Sequence, residues 1–205
     1  MSPRQSWFDG WRLFALLALT LLGLSVWIAS MRGFEVDGVR MVIRFTARTS
    51  LVLFCLAFSA AALARLWPNA WTRWLRRNRR YLGVSFAASH AIHAAAIVAF
   101  AVMDPAAYAA ATSLASYIFG GIGYAFIIAM TATSFNRTAA ALGARAWRML
   151  HISGGYYLLF QFMVSFGKRI PDMPLYALFL IPLLAVFVLR MIAMAPHGQA
   201  TARAE

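Results

Sequence analysis

The sequence predicts an all-α protein, a polytopic membrane bundle of six transmembrane helices with both termini in the cytoplasm. Three observations carry this prediction. Hydrophobic residues make up 62% of the 205-residue chain and charged residues 12%, more apolar surface than a soluble domain of that size can hide. The apolar residues fall into runs near 13–31, 42–66, 81–102, 113–132, 146–166 and 174–194, each close to the ~20 residues that a helix needs to cross a bilayer. The arginines gather at alternate connections, which orients the spans. No polar linker is long enough to divide the chain, so 1–205 reads as a single transmembrane domain.

Residues 13–30 form an unbroken apolar or small-residue run. It is long for a signal peptide, and further spans follow, so an uncleaved first helix is expected. In the second span Arg40, Arg44 and Arg48 recur every fourth residue and share one helix face. Snorkelling to the headgroups and binding of an anionic group or partner are both open for them. Residues 65–80 read as the most basic loop, with Arg65, Arg73, Arg76, Arg77, Arg79 and Arg80 and no acid. The third span then carries His90 and His93. The fourth contains Gly120, Gly121 and Gly123, which allow a neighbouring helix to come close. A second basic connection, with Arg137, Arg145 and Arg148, precedes the fifth span and its His151. His197 falls in a polar tail and reads as solvated.

The connections after spans 1, 3 and 5 hold Arg32, Arg40, Lys168 and Arg169, offset by Glu35, Asp37, Asp104 and Asp172. Those after spans 2 and 4 hold nine arginines and no acid. Positive-inside then puts the second kind, with both termini, in the cytoplasm. The net charge of +13 is thereby explained by topology and anionic lipid, and nucleic acid is not an expected partner. The single Cys55 lies in an apolar run, which excludes an intrachain disulfide.

Histidines inside a span are costly and are usually functional. Three of them on two helices, with no Cys, Asp or Glu nearby in sequence, argue against zinc and di-iron carboxylate sites. Two imidazoles in an apolar slot suit the axial positions of a b-type haem. On depth His90 matches His151 slightly better than His93 does, and both remain candidates. Gly154 and Gly155, three and four residues after His151, bare a helix face where either a porphyrin or a packed helix fits. Arg80 and Arg148 sit where propionates would point, or serve only as topology anchors. Interhelical hydrogen bonding without a cofactor is the competing use of the histidines. No nucleophile elbow, P-loop or dinucleotide fingerprint is present. The spans hold no carboxylate, which weakens a proton-pump or cation-transporter reading.

Four segments carry a family likeness: ARTSL at 47–51, RRYLG at 79–83 with His93 ten residues after the glycine, TS at 133–134 leading to LG at 142–143, and WRMLH at 147–151. Together they cover about half the chain, and they resemble the ferric-reductase-like transmembrane superfamily, most closely its MsrQ branch. That branch comprises haem-binding membrane subunits of periplasmic methionine-sulfoxide reductase systems. The resemblance implies His93, rather than His90, as the helix-3 ligand paired with His151, and one haem b in a bacterial inner membrane. It also implies electron transfer from a separate flavin or quinone donor to a periplasmic redox partner. Flavin and nicotinamide domains of larger relatives are lacking, so the donor is expected to be separate, and the absence of catalytic motifs leaves substrate chemistry to a partner. The chain departs from the pattern at Val164, where the branch carries a further histidine; this argues against a two-haem wire and weakens the methionine-sulfoxide assignment. The alternatives are a haem-free scaffold or small-solute carrier, and a stand-alone ferric or oxygen reductase with His90 in reserve.

Overall fold

A computed structural model describes residues 7–195. His197, expected to be solvated, lies outside the described residues. Within them the chain forms α1 (Gly10–Ser30), α2 (Val36–Leu66), α3 (Ala70–Met103), α4 (Pro105–Ala111), α5 (Leu114–Ala132), α6 (Asn136–Leu142), α7 (Ala144–Gly167), a 3-10 segment (Pro174–Phe179) and α8 (Leu180–Met194). The protein is an all-α membrane bundle. Where six apolar spans are expected, five segments meet both length and composition: α1, α2, α3, α5 and Pro174–Met194. The sixth, α7, has 24 residues, enough to cross, but His151, Tyr156, Tyr157 and Gln161 leave it less apolar than those five.

The expected basic loop at 65–80 is mostly helix. The turn is confined to the residues around Pro68, and Asn69 caps α3 by accepting from the Thr72 amide at 2.9 Å while Thr72 Oγ1 accepts from the Asn69 amide at 3.0 Å. This reciprocal capping starts the helix well before the continuous apolar run that begins at Tyr81. α3 therefore has 34 residues, about 51 Å at 1.5 Å per residue, against ~30 Å of hydrocarbon. Its arginines at 73–80 form a helical collar at what we call the basic end. Likewise Asp104, with Pro105 at the first helical position, caps the short α4 by accepting from the Ala107 amide at 2.9 Å.

Asn78, inside that collar, is fully buried and anchors the start of α1. Its Nδ2 donates to Asp9 Oδ1 at 2.8 Å, and its Oδ1 accepts from the Gly10 amide at 2.9 Å. Gly10 has a φ of +66°, a turn geometry that glycine adopts without strain. Trp74 Nε1 adds a bond to the Phe8 carbonyl at 2.9 Å, and Arg77 pairs with Asp9 at 3.4 Å. Asn78→Ala would leave the Asp9 carboxylate and the Gly10 amide short of partners. We expect it to destabilise the bundle by about 1–3 kcal/mol, read as a lower melting temperature in detergent, with Arg77→Ala, at an exposed pair, costing much less.

The most extensive contact in the bundle is α2 on α3. Small hydroxyl residues line it: Ser50 Oγ donates to Ser89 Oγ at 2.8 Å, and Thr49 Oγ1 lies 3.1 Å from the same atom. Such residues let membrane helices approach closely while satisfying each other. α1 flanks α3, α8 lies on α2, and α5 packs on α7. α3 and α7, the two histidine helices, are not a major contact pair. The space between them, closed by α2, α5 and α8, holds the cavities described next.

The arginine stripe of α2 is capped by aromatic rings. Arg40 lies over Phe100, and Arg48 over Tyr176 and Phe179 at 6.0 and 5.5 Å, with Arg169 also over Tyr176. All three stripe residues are exposed.

Candidate functional site

Two cavities lie between α3 and α7, at different depths. The larger, about 580 Å³, is at the basic end; its lining includes His151, Trp147, Gly83, Gly155 and the arginines 79, 80, 148 and 190. The smaller, about 180 Å³, is lined by His90, His93, Tyr124, Gln161, Ser165 and apolar neighbours. Ile127 and Leu158 line both.

His93 is held from α2. Its Nδ1 lies 2.9 Å from Thr46 Oγ1 and 3.1 Å from the Ile43 carbonyl. The Thr46 hydroxyl donates to the Val42 carbonyl at 2.7 Å, so it is free to accept rather than donate toward the ring. His93 therefore carries its proton on Nδ1 and its lone pair on Nε2. A ligating histidine is commonly oriented this way, with its other nitrogen bound to a carbonyl or a hydroxyl. His90, one turn earlier, packs against Phe86, His93, Tyr124 and Phe162. Its Nδ1 is buried without a hydrogen-bond partner.

His151 stacks on Trp147, ring centroids 4.3 Å apart, and its Nε2 lies 3.2 Å from Thr133 Oγ1. Because the Thr133 hydroxyl donates to the Ala129 carbonyl at 2.7 Å, the histidine donates and its lone pair sits on Nδ1. Trp147 Nε1 donates to the Thr133 carbonyl at 3.0 Å, so the TS pair at 133–134 and the WRMLH segment are joined in space.

The expected partners His93 and His151 line different cavities. The α7 residues facing His93 begin at Leu158 and run to Phe166, so they lie about 10 to 22 Å further along the helix than His151. The α3 residues that line the His151 cavity are Arg79, Arg80, Gly83 and Phe86, about two to four helical turns before His93. Metal–imidazole bonds are about 2 Å long, so an iron shared by two imidazoles holds their nitrogens only about 4 Å apart. Position 164, where a further histidine is expected by resemblance, carries an exposed valine.

The larger cavity does suit a single-ligand tetrapyrrole with two carboxylates. A Cβ built on Gly83 meets nothing within 4 Å, so this α3 glycine opens directly onto free space. Four arginines and no Asp or Glu line the cavity. Arg80, expected at a propionate, has Nη1 2.6 Å from Asn136 Oδ1 and stacks on Tyr81; Arg148 is exposed at the rim. The glycines of α7 have another role. A Cβ on Gly154 would meet Met130 Sδ at 2.8 Å and Phe126 at 2.9 Å, and one on Gly155 would meet the Phe58 ring at 2.9 Å. Both permit close packing, Gly154 against α5 and Gly155 against α2. Of the three glycines on α5, Gly123 approaches α7, with Leu158 and Tyr157 at 3.8 Å from a built Cβ, whereas Gly120 and Gly121 face open space.

Arg79 and Gly83 bound the RRYLG segment but were given no site role from the sequence, and Arg190 was not singled out at all; a lone charge inside the most apolar segment was the available signal for it. No family model matches this chain, and no curated protein or solved structure matches it.

Proposed function

We propose that the chain is a b-type cytochrome subunit, relaying electrons within or across a bacterial inner membrane between a separate flavin or quinone donor and a partner redox protein. The observation that carries this reading is the larger cavity: an imidazole with a free ring nitrogen, a glycine-opened wall and four uncompensated arginines on one space. Haem, bound there, would supply a reversible one-electron carrier. His151 would hold the iron, Thr133 and Trp147 would fix the ring, and the arginines would take the two carboxylates. Several uncompensated cations bordering one cavity favour an anionic ligand.

In this reading the smaller cavity serves a second redox ring, a quinone or flavin, beside the Nε2 lone pair of His93. Tyr124 and Gln161 add polar groups to its apolar lining. In this reading six spans cross with the basic end and both termini in the cytoplasm, so the haem would lie inward and the second ring outward. The relay then runs past the shared wall at Ile127 and Leu158.

A haem-free bundle remains a second reading, and one observation favours it. Both His93 and His151 already hydrogen-bond to hydroxyls on neighbouring elements, which is all a scaffold or solute carrier would ask of them. A reduced-minus-oxidised absorption spectrum of the detergent-purified chain, expressed with added haem precursor, decides between the two. We expect b-type bands. A colourless protein would eliminate the cytochrome and leave the haem-free bundle.

A further inference from the structure

Arg190 is the only charged residue of α8, in the segment with the highest mean hydropathy of the five apolar spans. Its guanidinium is always ionised and has five N–H donors. An arginine near a span end ordinarily snorkels outward to the headgroups. This one turns inward. Its Nη1 donates to the Phe58 carbonyl of α2 at 3.0 Å, and its Nε donates to Tyr156 Oη at 3.4 Å. The group lies over the Phe58 ring at 4.1 Å and the Tyr156 ring at 5.3 Å.

Those contacts engage two of the five hydrogens and leave the charge unbalanced. Among the described residues, no carboxylate lines the cavity that Arg190 borders, and the Asp9 carboxylate at the basic end is paired with Arg77. Arg79 lines the same cavity as Arg190 and His151. Like-charged guanidinium groups bordering one space disfavour each other. A bound carboxylate turns that repulsion into two charge-assisted bonds.

We propose that Arg190 is a carboxylate-binding residue of the larger cavity, gripping one propionate of the tetrapyrrole with Arg79 opposite it. The inference rests on the cytochrome reading and adds a residue on α8 to a site otherwise built from α3 and α7.

The test uses the full chain, purified in detergent from haem-deficient cells, and two probes: haem b and its dimethyl ester, in which both propionates are blocked. Binding is followed by the Soret absorbance. The native chain is expected to bind haem about tenfold to a hundredfold more tightly than the ester, the size of a charged hydrogen bond. Arg190→Gln should weaken haem by most of that factor and leave the ester unchanged. Arg190→Lys, which keeps the charge, should retain part of the discrimination. Equal weakening of both probes in Arg190→Gln would mean that the residue only packs α8 on α2, and would overturn the assignment. So would no change with either probe, or native binding that does not distinguish acid from ester. If the native chain takes up neither probe, the cytochrome reading itself falls, and this assignment with it.

Discussion

His151→Ala should abolish the b-type absorption signal, while His93→Ala should leave most of it in place. A bis-imidazole iron would lose its signal in both variants. The asymmetry follows from depth: His151 borders the arginine-lined cavity, and His93 borders the smaller one beyond Ile127 and Leu158. Removing His151 takes away the only imidazole in the larger space and leaves Thr133 without its ring partner, but opens no large void beneath Trp147. Removing His93 also strips a partner from Thr46, whose hydroxyl keeps its bond to Val42, so the α2–α3 seam should survive. The predicted consequence of His93→Ala is instead a slower reduction of the haem by a quinol analogue, measured by stopped-flow absorbance. Loss of the bands in His93→Ala with retention in His151→Ala would reverse the assignment of the two cavities. Loss in both, with melting temperatures unchanged, would restore the shared iron.

Gly83→Leu should prevent haem uptake without lowering the stability of the haem-free protein. A Cβ at this glycine meets no protein atom within 4 Å, and the residue lines the cavity, so the added side chain is expected to occupy the cavity rather than push against a neighbouring helix. Gly155→Leu should do the opposite kind of damage. Its Cβ meets the Phe58 ring at 2.9 Å, and the α2–α7 packing would have to spread. Overpacking of this kind costs about 1–3 kcal/mol, sometimes more. The two are separated by measuring haem stoichiometry and thermal unfolding on the same preparations. A stable Gly155→Leu, or an unstable Gly83→Leu that still binds haem stoichiometrically, would contradict the geometry.

The helices were legible because hydropathy runs mark the membrane-embedded part of each one. What hydropathy does not mark is how far a helix continues into the polar region. Residues 70–80 look like a loop when only apolar residues are counted, yet Asn69 and Thr72 form a capping box that was open to reading. Missing it set the start of α3 too late. The histidine pairing illustrates a related limit. His93 lies thirteen residues past Arg80 and His151 three past Arg148, and that mismatch corresponds to the two depths observed. Contacts between helices were not legible at all. Nothing in the sequence says that Gly154 meets Met130 while Gly83 meets nothing, because that depends on how the helices are arranged around the gap. Arg190 was overlooked for a similar reason, since its inward turn depends on Phe58 and Tyr156 being beside it.

In the proposed relay the wall shared by the two cavities would separate charge carriers by kind. Ile127 and Leu158 line both cavities and offer neither a donor nor an acceptor. Proton hopping needs an unbroken succession of hydrogen-bonding groups or water, and these two side chains supply none of it. In the proposed relay electrons, which need only proximity, would cross this wall while protons would not, so current would pass between the two cavities without the membrane's proton gradient leaking through the same place.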